Sequence, residues 1–185
     1  MQLFEILKVL DDLKHLKRTG WIKIGVPEPE TVASHMYRMA VLAMALEIPD
    51  VDRMKCVQMA LVHDIGEAIA GDITPFCGIT VEKKYQLEEE ALFAIGEMVP
   101  KNIAADWISL WREFEKGTSN EAVVVKQLDK FDMIAQAFQY EQKYNIDCEQ
   151  FFTATMNYFI TEPFLSWDRE LRSKRTKLLE EKMLK

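Results

Sequence analysis

Three histidines occur in the whole chain, and two of them sit where metal chemistry is plausible. His63 and Asp64 are neighbours at the end of an apolar helical run, in the stretch ALVHDIGEAIAGD. His35 offers a second imidazole upstream, and Asp129 a second carboxylate downstream. Two imidazoles and two carboxylates form a mixed nitrogen–oxygen ligand set for a divalent ion, with room left for water.

Positioning these groups makes demands on the fold. Successive residues on a helix point about 100° apart, so an adjacent His–Asp pair meets one ion only near a helix end. Gly66 follows closely and is expected to loosen that end. His35 lies 28 residues before His63, enough for one helix to turn back antiparallel. Asp129 lies 65 residues after Asp64 and must come from a distant helix across the core. Taken singly, each residue also has an ordinary reading: a buried histidine on a core hydrogen bond, an aspartate capping a helix.

Helical periodicity runs nearly end to end. Leu3, Ile6, Leu7, Leu10 and Leu13 share one face of a first helix, which ends near Thr19–Gly20. Val32, Met36, Met39, Ala40 and Ala43 share one face of a second, stopped by Pro49. Val57, Ala60 and Leu61 lead up to His63. A charged helix is expected over about 80–99, before Pro100. Ile103, Trp107, Leu110, Trp111 and Phe114 form the next stripe, closed by Gly117. Ser119 is a candidate N-cap for the helix carrying Asp129. Val123–Val125 alone resembles a strand, but its flanks are helical. Two further helices are expected near 147–160 and 166–184. The methionines, Met36, Met39, Met44, Met54 and Met59 among them, read as core filler.

The surrounding pattern resembles the HD-domain metal-dependent phosphohydrolases, whose signature is a histidine, a His–Asp pair and a later aspartate on one metal. The resemblance covers nearly the whole chain. It is carried by LKRTGW (16–21), ETVASHMYRMAVLAMAL (30–46), ALVHDIGEAIAGDITP (60–75), EKKYQLEEEA (82–91) and VKQLDKFDMIAQAFQYE (125–141). It is greatest to the single-domain 5'-deoxynucleotidase branch. The resemblance implies an all-α fold, a compact HD-domain helical bundle. It implies one domain over 1–185, with the metal-site core at about 30–140 and C-terminal helices at 147–184. The metal ligands would be His35, His63, Asp64 and Asp129. Ser34 departs from relatives that carry an acid before the first metal histidine, which could alter a contact behind the ligands.

The implied reaction is hydrolysis of a 2'-deoxyribonucleoside 5'-monophosphate to deoxynucleoside and phosphate. HD enzymes with two metals use further histidines between the pair and the last aspartate. None follows His63 here, so a single divalent ion is expected. Co²⁺, Mn²⁺, Fe²⁺ or Zn²⁺ suits the ligands, and Mg²⁺ less well. Glu67, on the face of His63 and Asp64 if the helix continues, would act with Asp64 in catalysis. Its ordinary reading is a surface glutamate. By resemblance Arg18 would bind substrate and Trp21 would check the sugar 2' position. Otherwise Arg18 is a cation at a helix C-terminus and Trp21 a core aromatic. Asp72 could bond a ribose hydroxyl or serve as a turn residue. Lys126 and Lys130 could reach phosphate but read first as surface ion-pair partners, His15 as surface, and EKKYQLEEEA as a solvated helix face or a flap.

Composition is that of a small globular enzyme: 49% apolar, 29% charged, net charge −7. The acidity argues against a nucleic-acid polymer as partner. Cys56, Cys77 and Cys148 form no CxxC pair, so a reducing cytoplasm is the simplest compartment. No run reaches the ~18 apolar residues of a membrane span, and the amphipathic, acid-containing N-terminal stretch is no secretory signal. A homodimer is expected from the resemblance. Two alternatives stand beside the nucleotidase reading. One is a guanosine tetraphosphate pyrophosphohydrolase, which needs a wider basic pocket. The other is a non-enzymatic interaction module with a relic metal site, which the filled ligand positions oppose.

Overall fold

In the computed structural model, residues 1–184 are described. They form α1 (Leu3–His15), α2 (Thr19–Lys23), α3 (Val32–Met44), α4 (Arg53–Val62), α5 (Glu67–Ala70), α6 (Val81–Gly96), α7 (Lys101–Lys116), α8 (Asn120–Tyr144), α9 (Glu149–Ala154) and α10 (Phe164–Met183), with a 3₁₀ turn at Pro75–Cys77. The fold is all-α, and the only β pairing among the described residues is an isolated bridge between Lys17 and Thr31. Side-chain oxygens start several helices: Thr31, Asp52, Thr80 and Ser119 each accept a backbone N–H from the first turn. Ser34 belongs to this chemistry. It completes a capping box with Thr31 and is exposed.

The long α8 packs against α3, α4, α7, α9 and α10. One core gathers Met39, Ala43, Met59, Val125, Leu128, Ile134, Phe152 and Phe164. A second gathers Ile6, Val9, Leu13, Val32, Met36, Val62, Leu92, Ile95 and Trp111. α3 and α4 contribute to both, so residues on these two helices meet where the cores join. Among the described residues no helix is long and apolar enough to cross a membrane.

Several expected elements shift. In α1 the buried face is Ile6, Val9 and Leu13, while Leu3, Leu7 and Leu10 are exposed. The apolar stripe is wider than its contact with α3 and α5. α1 ends at His15, and Arg18 is the N-cap of the separate α2. The extended link between them is held by Arg18 N–H to Glu30 O and Val32 N–H to Leu16 O. α3 stops at Met44, before Pro49 is reached. The helix expected to 160 stops at Ala154. Thr155 turns its hydroxyl back onto the carbonyls of Phe151 and Phe152, and Asn157 takes a left-handed conformation. Met44 and Met54 are exposed, whereas Met36, Met39 and Met59 are core.

Candidate metal centre and active site

His35 lies in the first half of α3 and is fully buried. Its Nδ1 donates to Asp132 Oδ2 on α8 at 2.7 Å. His63 caps α4, and its Nδ1 sits 3.0 Å from the Ala60 carbonyl. A carbonyl only accepts, so this contact places a proton on Nδ1, and in the neutral imidazole that leaves the lone pair on Nε2. The same logic holds for His35 against a carboxylate. Both Nε2 atoms are buried without a hydrogen-bond partner. His63 Nε2 lies 3.1 Å from Asp64 Oδ2, and His35 Nε2 lies 3.9 Å from that oxygen and 3.3 Å from Asp129 Oδ1. Ligand atoms of His35, His63 and Asp64 all fall within 4.8 Å of one another. Two orphaned imidazole nitrogens facing carboxylates fit a divalent cation.

The His–Asp pair sits at a helix end, as expected, but Gly66 plays a different part there. α4 ends at Val62, and Gly66 has ordinary right-handed dihedrals, φ −62°. The glycine is needed for space. A Cβ there would lie 3.1 Å from the Glu88 carbonyl oxygen of α6. Gly66 therefore lets α6 press onto the turn that carries His63 and Asp64. Glu67 N–H bonds to Asp64 O, and the Glu67 side chain turns inward and is buried.

The electrostatics follow from burial and neighbours. Burial alone would raise Asp64, but His63 and His35 hold it below the carboxylate range. Burial opposes Asp129 ionisation too, and Lys130, His35 and Arg18 overcome it. Glu67 is pushed well above its ordinary value, by burial first and then by Asp64 and Asp72. Its Oε2 is buried without a partner. Burial and the two neighbouring carboxylates thus favour the neutral form of Glu67, the form able to give a proton.

Behind His35 lies a network the sequence reading missed. Arg38 donates through Nε and Nη2 to Asp132, the latter at 2.8 Å, and through Nη1 to Gln136 at 2.5 Å. Glu30 is 3.6 Å from the same guanidinium and accepts from Trp21 Nε1. Glu30, His35 and Asp132 also lie at ligand distance from one another, but on the Nδ1 side, where Arg38 supplies the positive charge. The signal was present as two i,i+3 pairs, His35–Arg38 and Asp129–Asp132.

A cavity of about 440 Å³ opens beside Asp64, Glu67 and Asp129. Arg18, Lys84 and Lys130 bring positive charge to its wall, and Met133, Phe151 and Phe76 bring apolar surface. Arg18 Nη1 stands 3.7 Å from Asp64 Oδ2. Trp21 lines the cavity but is foremost a core residue, 1% exposed, packed on Tyr140 and Phe151. Asp72 also reaches the cavity, yet Oδ2 already accepts from Thr19 N–H at 2.5 Å and its carbonyl from the Thr19 hydroxyl. Its carboxylate ties the loop to the start of α2. Lys130 pairs with Asp129 at 2.9 Å on the cavity wall, not on the outer surface. Lys126 instead lies 4.3 Å over the Phe114 ring. His15 is exposed, as expected. The run EKKYQLEEEA is only partly solvated, since Glu88 is buried and Lys84 reaches the cavity.

The helices, the inward His–Asp turn and the cavity lined by both carboxylates and cations place the molecule in a class of helical metal-site proteins. Residues 10–163 match the HD domain family, and the chain belongs to it. It is 41% identical to the 5'-deoxynucleotidase HDDC2 of Dictyostelium discoideum over 184 residues, 92% of this chain and 97% of that protein. It is 44% identical to the human protein of the same name over 139 residues, 75% of this chain and 68% of that one. Among solved structures it resembles the HD domain-containing protein YGK1 of Saccharomyces cerevisiae, with TM-score 0.71 and 27% identity, covering 96% of this chain and 87% of that one.

Proposed function

We propose that this chain is a metal-dependent 5'-deoxynucleotidase that cleaves 2'-deoxyribonucleoside 5'-monophosphates to deoxynucleoside and phosphate. The observation that carries the reading is the pair of buried, unpartnered Nε2 atoms of His35 and His63, facing Asp64 and Asp129 at the end of a cation-bearing cavity. Relatives named 5'-deoxynucleotidase over most of the chain support the substrate class.

His35, His63, Asp64 and Asp129 would hold one divalent ion. Bound there, it would supply Lewis-acid polarisation of a phosphoryl oxygen and acidify water. Arg18, beside Asp64, would balance charge on the phosphate and orient it. Glu67, kept neutral by burial, would donate a proton to the departing O5' oxygen. Trp21, rigid within the core, would form part of the wall against which the sugar rests. Asp72 would act on substrate through the loop it fixes. A transition metal suits the nitrogen–oxygen set best. Cytoplasmic placement and a homodimer complete the proposal.

The test is phosphate release from dAMP, dCMP, dGMP, dTMP, dUMP and their ribo-counterparts, with Co²⁺, Mn²⁺ or Mg²⁺ added. The expected result is metal-dependent release favouring the deoxy series, lost together with bound metal in His63→Ala. Turnover of guanosine tetraphosphate alone, or full metal and activity in His63→Ala, would overturn it.

A further inference from the structure

The cavity wall carries three cations, and they are not equivalent. Arg18 sits against Asp64, 3.7 Å away, and Lys130 is bonded to Asp129 at 2.9 Å. Both are engaged by carboxylates that face the histidines. Lys84 is different. It comes from α6, an element that contributes no member of the His–Asp cluster. Its partner is Glu88, one turn along the same helix at 3.3 Å. The Lys84 side chain stays 40% exposed and lines the cavity, so its ammonium can be reached by a ligand. Burial works against its charge, but Glu88 and Asp64 outweigh it.

The local packing explains why a lysine from a remote helix arrives there. Gly66 leaves room for the Glu88 backbone, so α6 rests directly on the turn between Asp64 and Glu67. That approach fixes Glu88 inward, and Glu88 in turn steers the Lys84 stem along the helix face toward the cavity. A phosphomonoester brings a dianion to a site already holding Asp64 and Asp129. Cations tied to those two aspartates have less to give it than one whose partner lies outside the cluster.

We propose that Lys84 is a phosphate-contacting residue of this site, with Glu88 as the positioning residue that holds its ammonium at the cavity wall. The inference rests on the phosphomonoesterase reading of the cavity and names its second source of phosphate charge. Lys84 would meet the substrate phosphate and, after cleavage, inorganic phosphate.

The experiment is calorimetric titration of inorganic phosphate into the Mn²⁺-loaded full-length protein, beside KM and kcat on a deoxynucleoside monophosphate. Lys84→Ala is expected to weaken phosphate binding by about tenfold, the equivalent of one ordinary charge contact. KM should rise in step, with Mn²⁺ content unchanged. Lys84→Arg, which keeps the charge, should stay within about threefold of the wild type. Glu88→Gln should raise KM more than it lowers kcat, because it frees the ammonium without removing it. Should Lys84→Ala fail to fold, Lys84→Gln keeps the stem and carries the same expectation. Phosphate affinity in a folded Lys84→Ala or Lys84→Gln protein within about twofold of the wild type would overturn the assignment. So would loss of Mn²⁺ in parallel with phosphate. A wild type that binds phosphate through Lys84 but releases none from any deoxynucleotide would sink the nucleotidase reading and leave the Lys84 contact standing.

Discussion

Asp132→Asn tests the idea that the metal-facing nitrogen of His35 is set from behind. The carboxylate is fully buried and accepts His35 Nδ1–H at 2.7 Å and Arg38 Nη2–H at 2.8 Å, with a further bond from Arg38 Nε. Asparagine keeps the volume but offers only one acceptor oxygen. If that oxygen faces His35, the tautomer survives and only the charge is lost. If the amide NH₂ faces His35, the imidazole must move its proton to Nε2, and the lone pair aimed at Asp64 and Asp129 disappears. Partners of this kind are worth about 10- to 100-fold in metal affinity, roughly 1.4–2.7 kcal/mol. The first orientation predicts the lower end and the second the upper. Arg38 also loses its carboxylate, but it is 30% exposed and can turn to water, so the apo protein should lose about 3 kcal/mol, the low end for a broken buried pair. Metal affinity is read by chelator competition, and stability by calorimetry of the apo form. A variant with lowered stability but wild-type metal affinity would show that Asp132 supports the fold and does not orient the ligand.

Three further outcomes are expected. Glu67→Gln should lower kcat by about 10²–10⁴ with metal content intact; metal lost together with activity would instead place Glu67 among the ligands or their support. Glu88 is raised to about 7, by burial first, against the lowering effect of Lys84 and with Asp64 adding to the rise. A carboxyl raised above its unfolded value contributes fully below that value and loses the contribution as pH climbs through the folded one. Melts of the apo protein from about pH 5 to about pH 8 should therefore show Glu88→Gln gaining on the wild type, and parallel curves would contradict the burial argument. Trp21 is too buried for truncation, since alanine there would cost about 3–5 kcal/mol, so the sugar test uses Trp21→Phe. The wild type should favour deoxynucleotides by about 5- to 150-fold in kcat/KM, the cost of one unpaired buried hydroxyl, and Trp21→Phe should narrow that ratio. An unchanged ratio would assign the 2' position to another residue.

The parts legible in the sequence are those carried by periodicity and by rare residue types. Helices with a 3.6-residue apolar stripe declared themselves: Val32 to Ala43 in α3 and Ile103 to Phe114 in α7 lie where the pattern put them. Ser119 caps α8 as its position implied. With only three histidines in the chain, His35 and His63 were almost forced, and the structure brings them together with Asp64 and Asp129. Places where the chain turns without glycine or proline were not legible. Nothing in a hydropathy pattern marks the extended step at Leu16–Arg18, because backbone bonds with Glu30 and Val32, distant in sequence, hold it. The end of α9 is likewise set by a threonine hydroxyl bonding backwards, which competes with helix continuation only when the surroundings favour it.

The polar shell around the site was hidden for a different reason. A charged residue on a helix reads as solvated, since most are, and Asp132, Arg38, Lys84 and Glu88 all look like surface positions in isolation. What distinguishes them is a partner far away in sequence. Asp132 belongs inward because His35 must give its Nδ1 proton to something once Nε2 is turned to the carboxylates. Lys84 and Glu88 belong inward because Gly66 removes the side chain that would have held α6 off. The usual reading of a glycine beside a His–Asp pair is flexibility at a helix end. Its right-handed dihedrals are open to any residue, and the 3.1 Å approach to a carbonyl shows that the space left by the missing side chain is filled by another helix. A glycine next to a candidate ligand is therefore better treated as a question about which charged helix comes near it. In this chain the answer is α6, which brings the Lys84 ammonium to the cavity beside Asp64 and Glu67.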